Sequence, residues 1–392
     1  MKAILRAAAI LVFSGCVLPA SADSVAVQLA KPTAQKELPA ADFQILAGRY
    51  PNWSRLSGCP ADKVPYDQVT HILYAGYLTN ARGLITNSDP ADEANFKDII
   101  RLAHAKGVKV LLSIAGTSRP GGFKAMAAGK DARARFVQNC LKLADAYGLD
   151  GIDLAWKFPI AGDGDNQLRL HRELRSAIDA RSHKLLFTVE AAPTDFWARH
   201  SADESFVLPD YLFVMSFDYA RGDSKRAIPN AGLPMVKASL EYYERRGVPK
   251  NKLVIGTPFY GRSFEGASAL GASSSGKGSG NDGLWPWKDL LVRFKAYNYK
   301  ILWDEGTESE YAVGNGELIT FDGLATQWAR ARFARANGYG GLAVWDLPND
   351  TTDRIHSLSV ALHTSLWSNG GDNIGRVPSG PKWDGANSTS AE

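Results

Sequence analysis

The residues best suited to acid–base chemistry lie in the stretch 149–159, which contains Asp150, Asp153 and Lys157 and ends at Pro159. Its apolar residues alternate along the chain, as in a buried β-strand whose successive side chains point to opposite faces. Carboxylates near the C-terminal end of a strand in a parallel barrel serve as general acids, bases or nucleophiles. We therefore expect Asp150 and Asp153 near that end of the strand, in a candidate active site.

The rest of the chain supplies short strand signals that alternate with amphipathic helical patterns. The predicted strands are 44–50, 71–76, 108–115, 151–156, 185–191, 211–217, 253–259 and 341–345. The helical patterns include 95–106, 132–147, 167–181, 234–246 and 322–337. Eight strands in this βα alternation over about 320 residues predict one α/β domain, a (β/α)8 TIM barrel, rather than two domains.

One segment, 265–320, breaks this alternation between strands 7 and 8 of the predicted barrel. It begins with a Gly/Ser-rich run and continues as a mixture of one helical and several strand patterns. Because it is too long for an ordinary loop, we expect a small α+β insertion subdomain there. The predicted barrel covers 44–366, preceded by a flexible linker at 23–43 and followed by a disordered tail at 367–392.

The first 22 residues have the features of a secretory signal peptide: Lys2 and Arg6, an apolar run, and small residues at 20–22. A second interpretation takes Cys16 as the lipid-bearing cysteine of a loose lipobox. Either way, we expect a secreted or periplasmic protein, tethered at most by lipid. No other apolar run approaches the roughly 20 residues that span a bilayer.

Composition narrows the possible functions. Across 392 residues the formal net charge is +4, and the basic residues are scattered, so neither nucleic-acid nor membrane-surface binding is indicated. Hydrophobic residues make up 45% of the chain, enough for one large core or two modest ones. Once a signal peptide is removed, Cys59 and Cys140 are left, either as a disulfide or as free thiols. Two cysteines at this spacing do not make a metal site.

The stretch 150–159 resembles the signature of glycoside hydrolase family 18, the chitinases and their relatives, which is Asp-Gly-x-Asp-x-Asp-x-Glu followed by Tyr-Pro. Asp150, Gly151, Asp153 and the Phe158–Pro159 pair match it. Four further segments resemble family motifs in the same order: 113–116, 215–219, 258–264 and 340–345. The resemblance covers roughly residues 44–366 and implies the TIM barrel, with no cofactor.

Three positions depart from the family pattern. Members of the family cleave chitin by a route in which the substrate's own acetamide group takes part in the reaction. The usual scheme of glycoside hydrolysis relies on two carboxylates of the enzyme instead. That route needs a protonated Glu, an Asp that holds the acetamide and a Tyr that binds it. The resemblance places Lys157, Ala155 and Phe217 at these three positions. It thus implies a chitinase scaffold whose catalytic residues are not intact.

Lys157 is a poor replacement for the missing acid. An ammonium group with an ordinary pKa near 10.4 is badly matched to protonating a glycosidic oxygen at neutral pH. We expect Asp153 and Glu190 to oppose any fall in the pKa of Lys157, and therefore a Schiff-base role for it is disfavoured. We predict an ion pair within about 4 Å between Lys157 and either Glu190 or Asp153. In the alternative interpretation Glu190 points to solvent or caps a loop, and an acid role for it is a further, weaker alternative.

The resemblance also implies a set of sugar-contacting residues. Trp345 corresponds to the tryptophan that floors the central subsite, and Asp218, Tyr260 and Arg262 to polar residues of the groove. The full set of predicted glycan-binding residues is Trp345, Asp218, Tyr260, Arg262, Met215, Tyr50 and Trp53. Met215 is equally explained by barrel packing. Thr117 stands where many chitinases have a stacking tryptophan.

The leading hypothesis is a secreted chitinase-like pseudoenzyme that binds chitin or other N-acetylglucosamine-containing glycans without hydrolysing them. A second hypothesis is a glycoside hydrolase, of chitinase or endo-N-acetylglucosaminidase type, that works through an altered site. A third is a protein-interaction or inhibitor scaffold, for which the sequence indicates no partner.

Overall fold

The structure, a computed structural model, describes residues 45–116, 122–221 and 224–367. Several of the sequence predictions therefore lie outside the described residues. These are the signal peptide, the lipobox Cys16, the linker 23–43, Thr117 and the tail beyond residue 367.

Eight parallel strands form a closed barrel, as the sequence predicted. They are β1 (Ile45–Pro51), β2 (His71–Thr79), β4 (Lys109–Gly116), β5 (Gly151–Trp156), β6 (Leu186–Ala191), β7 (Tyr211–Val214), β8 (Leu253–Pro258) and β15 (Gly341–Trp345). The strand order is β1-β15-β8-β7-β6-β5-β4-β2, and pairing of β2 with β1 closes the cylinder. The short strand β3 (Ile85–Asn87) pairs antiparallel with the end of β2. Because β1 and β6 are four strands apart in either direction, the loops that follow them lie on opposite sides of the mouth.

Helices follow most of the barrel strands. They are α1 (Glu93–His104), α2 (Phe123–Ala128), α3 (Lys130–Tyr147), α4 (Gly164–Asp179), α5 (Asp195–Ala198), α6 (Glu204–Val207), α7 (Leu233–Arg245), α8 (Trp287–Ala296), α9 (Leu324–Asn337) and α10 (Leu358–Trp367). The sequence patterns did not indicate α10, which packs on α9. Trp367 is thus the last residue of a helix and not the first residue of a tail, as we had predicted.

Closure of the barrel depends on a glycine at the start of β15. Gly341 pairs with Ile45 of β1, and its φ of 140° lies in a region that side chains rarely adopt. A Cβ at this position would collide with the carbonyl oxygen of Ile45. Glycine is therefore required where the last strand meets the first.

The strands alternate between a barrel interior and an exterior packed against the helices. The interior cluster takes one residue, or alternate residues, from most of the strands: Ile45, Ala47, Leu73, Leu111, Leu186, Phe213, Val254 and Ala343. The intervening residues belong to the much larger cluster between strands and helices. This period of two decides which side chains of each strand reach the mouth of the barrel.

The insertion between β8 and β15 is an α+β unit, as the sequence predicted. Its sheet contains β9 (Tyr260–Glu265), β10 (Gly276–Lys277), β11 (Leu284–Pro286), β12 (Lys300–Asp304), β13 (Ser309–Gly314) and β14 (Glu317–Phe321), with α8 after β11. The sheet begins at Tyr260, five residues before the predicted boundary, because β9 pairs with β14 and β11.

Two further observations bear on the sequence predictions. Cys59 and Cys140 are buried and both are free, so the structure has thiols rather than the alternative disulfide. Burial raises the pKa of the Cys59 thiol to about 11. Among the described helices, none is long and apolar enough to cross a membrane.

Candidate functional site

Strand alternation brings four side chains to the mouth of the barrel. Arg49 continues the inward series of Ile45 and Ala47 on β1, and Trp345 follows Ala343 on β15. On β6, Glu190 lies four residues beyond the inward-facing Leu186. Lys157 follows directly after β5, where its backbone N–H donates to the carbonyl of Gly116. The C-terminal ends of four strands thus place two cations, a carboxylate and an indole together.

Glu190 forms ion pairs with both cations. Its Oε2 lies 2.8 Å from Nζ of Lys157, and its Oε1 contacts Nη1 of Arg49. Only 4% of the Glu190 side chain and 5% of the Arg49 side chain are exposed, against 27% for Lys157. The predicted contact between Lys157 and Glu190 is present in the structure. Arg49, which was not predicted from the sequence, contacts the same carboxylate, so that Arg49, Glu190 and Lys157 form a triad.

The same two cations lie over the ring of Trp345. Nζ of Lys157 is 4.2 Å and Cζ of Arg49 is 4.4 Å from the ring centroid. Phe217 is buried, and its ring centroid lies 6.2 Å from that of Trp345. Trp345 therefore lies at the mouth beneath the two cations, and a sugar stacking on the face that Lys157 covers must first displace that side chain.

Asp153 is buried below this triad and is held by two hydroxyl groups. Ser113 Oγ donates to Oδ2 at 2.5 Å, and Thr188 Oγ1 donates to Oδ1 at 2.8 Å. Ala155, between Asp153 and Lys157 on the same face of β5, is buried and carries no polar group. The two hydroxyl groups thus satisfy the carboxylate of Asp153 from the neighbouring strands β4 and β6.

The predicted position of Asp150 is wrong. This residue precedes β5 and lies at the N-terminal end of the barrel, away from the mouth. Its Oδ2 accepts a hydrogen bond from the backbone N–H of Val110 at 2.8 Å and lies 2.9 Å from Nε2 of His104. Asp150 therefore ties β4 and α1 to the start of β5 and takes no part in the candidate site.

The electrostatics of the mouth also differ from the prediction. Burial and the neighbouring Arg49 guanidinium together hold the pKa of Lys157 well below its ordinary value, although Asp153 and Asp218 act in the opposite direction. Burial likewise lowers the pKa of Arg49, to about 10. We had expected acidic neighbours to prevent such a shift, but burial, the largest cause, and the Arg49 guanidinium together outweigh them.

A polar cluster lies on the side of the mouth next to the insertion. Asp218 accepts hydrogen bonds from Tyr260 Oη at 2.7 Å and from Arg262 Nη2 at 2.5 Å. Burial disfavours the charged form of Arg262, but the neighbouring Asp218 carboxylate outweighs this effect and holds the pKa of Arg262 above its ordinary value. The structure thus brings together three residues predicted from two separate motifs. Met215 is partly buried beside Phe217 and Trp345.

A pocket of about 330 Å³ opens where the loop after β1 faces the insertion and the segment after β15. Trp53 lines it with 53% of its surface exposed. Asp289 and Asp346 also line the pocket, and burial raises the pKa of Asp346 to about 6. Asp346 was not predicted from the sequence, although its position directly after Trp345 could have identified it as a candidate site residue.

Tyr50 is not a sugar-contacting residue, contrary to the prediction. It is fully buried on the outer face of β1, where its Oη donates to the carbonyl of Cys59 at 2.7 Å. Asn95 Nδ2 donates to the same hydroxyl at 3.0 Å, and the ring stacks on Tyr74. Because Ile45, Ala47 and Arg49 face inward, Tyr50 must face the helices.

Position 157 carries an amine rather than a carboxylate, and the nearby carboxylate of Glu190 is engaged by two cations. Among the described residues, no group of three or more His, Cys, Asp or Glu side chains is arranged to hold a metal ion. The mouth therefore offers charge pairing, indole stacking and polar contacts.

Comparisons with known proteins agree with this geometry. The family described as "Glycosyl hydrolases family 18" matches residues 46–350, so the chain belongs to that family. Chitinase 1 of Aphanocladium album is 28% identical over 330 residues, which cover 73% of this chain and 77% of that protein. Endochitinase 1 of Metarhizium anisopliae is also 28% identical, with 74% and 77% covered.

The fold also matches solved structures of the family. The crystal structure of the group IV chitinase from Ostrinia furnacalis superposes with a TM-score of 0.78 at 24% identity, and the match covers 83% of this chain and 100% of that one. Since the described residues form a closed parallel barrel and the family is shown, this is a chitinase-like protein with a TIM-barrel fold.

Proposed function

We propose that this protein binds N-acetylglucosamine-containing glycans, chitin oligosaccharides above all, without hydrolysing them. The observation that carries the proposal is the pairing of Lys157 with Glu190 at the centre of the mouth. A lysine is not the carboxylic acid that the family's route uses, and the Arg49 guanidinium, which shares Glu190, repels the positive charge that develops on a sugar ring in an oxocarbenium-like transition state.

The other catalytic functions are missing too. Ala155 and Phe217 offer no hydrogen bond to an acetamide group, and Phe217 is buried against Trp345. Ion pairs with Lys157 and Arg49 hold Glu190 as a carboxylate, so it has no proton of its own to give to a glycosidic oxygen. General acid catalysis typically contributes about 10²- to 10⁴-fold to a rate, and here it has no donor.

Binding has support on both sides of the centre. The exposed indole of Trp53 offers an apolar face to a pyranose ring, and its pocket also has carboxylates for sugar hydroxyls. On the insertion side, Asp218 and Arg262 present further polar groups. Relatives named chitinase or endochitinase point to chitin as the ligand class. Export through residues 1–22 is part of the same proposal.

Isothermal titration calorimetry with N-acetylchitotetraose tests the binding. We expect saturable binding by the full chain and a loss of at least about tenfold in affinity for Trp53→Ala. The matched control is Trp285→Phe, which changes a tryptophan of the insertion sheet outside the lining of the pocket. Absence of binding at millimolar sugar would contradict the proposal.

Chromophore release from an aryl chitobioside tests the loss of hydrolysis. We expect no turnover above background by the purified protein. Turnover that disappears in Lys157→Ala would instead support the altered hydrolase. If the protein neither binds nor cleaves the sugar, the third hypothesis, a protein-interaction or inhibitor scaffold, would be supported instead.

A further inference from the structure

Lys157 shares its carboxylate partner with a second cation. Glu190 contacts Arg49 through one oxygen and Lys157 through the other. The remaining acid directly below, Asp153, is occupied by the hydroxyl groups of Ser113 and Thr188. Two cations thus compete for one carboxylate in a mostly buried site, an arrangement that favours loss of a proton from the weaker cation, the lysine.

The charged groups around this lysine come from several strands. Asp153 lies on β5, which ends just before Lys157, and Asp218 lies on the insertion side. Arg49 and Glu190 are the other two members of the triad. Asp346 interacts with Arg49 and not directly with the lysine. The net result is the lowered pKa of Lys157 described above. At the same time, 27% of the side chain is exposed, which leaves this lysine open to a small molecule that enters the mouth.

We infer that Lys157 is an imine-forming amine, which condenses with small aldehydes such as the open-chain form of a reducing sugar. Glu190 lies at hydrogen-bond distance and serves as the proton carrier. Trp345 and Phe217 provide an apolar wall beside the amine. This inference goes beyond glycan binding, because a small aldehyde does not need the groove on either side.

The step is balanced within these residues. Glu190 takes a proton from the Lys157 ammonium, and the free amine attacks the aldehyde carbon to form a C–N bond. The carbonyl oxygen takes a proton from the newly bonded nitrogen and becomes a hydroxyl group, and its C–O bond breaks as Glu190 returns the first proton, releasing water. The products are a protonated imine on Lys157, one water molecule and the Glu190 carboxylate, so no oxidant or reductant is consumed.

Reductive trapping tests the inference on the full chain. The protein is incubated at pH 7 with D-glyceraldehyde and sodium cyanoborohydride, which delivers hydride to the imine carbon, and the modification of each lysine is followed by peptide mass spectrometry. We expect Lys157 to be modified at least about tenfold faster than the exposed Lys300, because each unit of pKa lowering raises the neutral fraction about tenfold. Equal rates for the two lysines would overturn the inference.

Two controls keep the result interpretable. Lys300→Arg should leave the rate of Lys157 modification unchanged. Arg49→Gln should slow Lys157 modification about tenfold at pH 7, because Glu190 then pairs with Lys157 alone and stabilises its charged form. If Arg49→Gln does not fold, the pH profile of the unmodified chain decides. A midpoint for Lys157 below that of Lys300 supports the inference, and coincident midpoints contradict it.

A parallel arm with chitobiose identifies the source of the aldehyde. Modification of Lys157 by both probes supports reducing sugars as ligands, whereas modification by glyceraldehyde alone supports the imine site and excludes that source. Failure of calorimetric glycan binding alongside rapid glyceraldehyde trapping would refute the proposed function and leave the imine site standing.

Discussion

Lys157 lies one residue beyond β5 and forms an ion pair with Glu190 of β6, its Nζ 2.8 Å from Oε2. β5 and β6 are neighbouring parallel strands whose register pairs Asp153 with Thr188 and Leu154 with Val189. The pair therefore joins two neighbouring strands at the mouth of the barrel. It accounts for both the expected loss of hydrolysis and the unusual environment of the lysine.

Restoring the acid alone is not expected to restore the enzyme. Lys157→Glu places a second carboxylate beside Glu190, with Arg49 left as the cation of the triad, while Ala155 and Phe217 still offer nothing to an acetamide group. We expect less than about 1% of the aryl-chitobioside turnover of a family chitinase assayed in parallel, since positioning and acid catalysis each contribute about 10²-fold or more.

The triple variant Lys157→Glu, Ala155→Asp and Phe217→Tyr provides the comparison. It should exceed the single variant if the acetamide contacts are what the single variant lacks. Turnover by Lys157→Glu alone at the level of an ordinary chitinase would refute the prediction.

Removing the shared carboxylate should destabilise the fold. Glu190→Gln keeps the shape of the side chain but leaves the Arg49 guanidinium buried without its counter-charge. Breaking a buried pair in this way typically costs about 3–5 kcal/mol, and we expect a loss in that range from urea unfolding.

Glu241→Gln on α7 is the matched control, because Glu241 pairs with Arg245 on the exposed face of one helix. Its free energy of unfolding should change by less than about 0.5 kcal/mol. A loss below about 1 kcal/mol for Glu190→Gln would indicate that Arg49 finds another acid, such as Asp153 or Asp346.

Tyr50 and Trp53 should separate stability from binding, although they are three residues apart. Tyr50→Phe removes a buried hydroxyl that bonds to Cys59 and Asn95, and we expect a stability loss of about 1 kcal/mol with unchanged glycan affinity. Trp53→Ala removes an exposed indole, and we expect weaker binding with little change in stability. Thermal unfolding and calorimetry on both variants check this. Weaker binding in a stable Tyr50→Phe protein would restore the original prediction for Tyr50.

Stability should fall as pH rises from about 4.5 to 7, in part through Glu310 in the insertion. Burial raises the pKa of Glu310 to about 7 from an ordinary value of 4.5. In that interval the folded state holds a proton that the unfolded state has released, so its contribution is complete below pH 4.5 and is lost as pH rises through about 7. The slope per group is at most about 1.4 kcal/mol per pH unit.

Glu310→Gln tests this dependence, because the glutamine oxygen still accepts the hydrogen bond from the Thr326 backbone N–H. Free energies of unfolding measured between pH 4.5 and 7.5 should vary less with pH in the variant. Glu305→Gln, in the exposed turn of the same hairpin, should leave the slope unchanged. Identical slopes for the native chain and Glu310→Gln would contradict the assignment.

Much of the fold was predictable because it depends on local periodicity. Strands β5 and β15 were placed at their observed bounds, and the eight barrel strands were all identified. Errors occurred where long-range pairing decides. Residues 260–265 belong to the insertion because β9 pairs with β14, and α10 forms because it packs on α9.

The candidate site, too, was predictable where it depends on local periodicity and was not predictable where it depends on long-range contacts. Reading alternation through β1 would have placed Arg49 inward and Tyr50 outward, so the sequence contained a signal for both that the motif comparison obscured. It did not contain the meeting of Arg49 with Glu190, which are 141 positions apart (190 − 49) and lie on strands four apart in the barrel. Nor did it show that both cations lie over Trp345.

The sequence by itself determined the barrel and the family and predicted a lysine in place of the catalytic acid, since each follows from residue types and their spacing along the chain. Only the tertiary structure decided what that lysine faces. The closure of the barrel and the register of its strands bring Arg49, Glu190 and Trp345 to it from distant positions. Its pKa and its access to ligands depend on these neighbours, because electrostatic interactions act across space rather than along the chain.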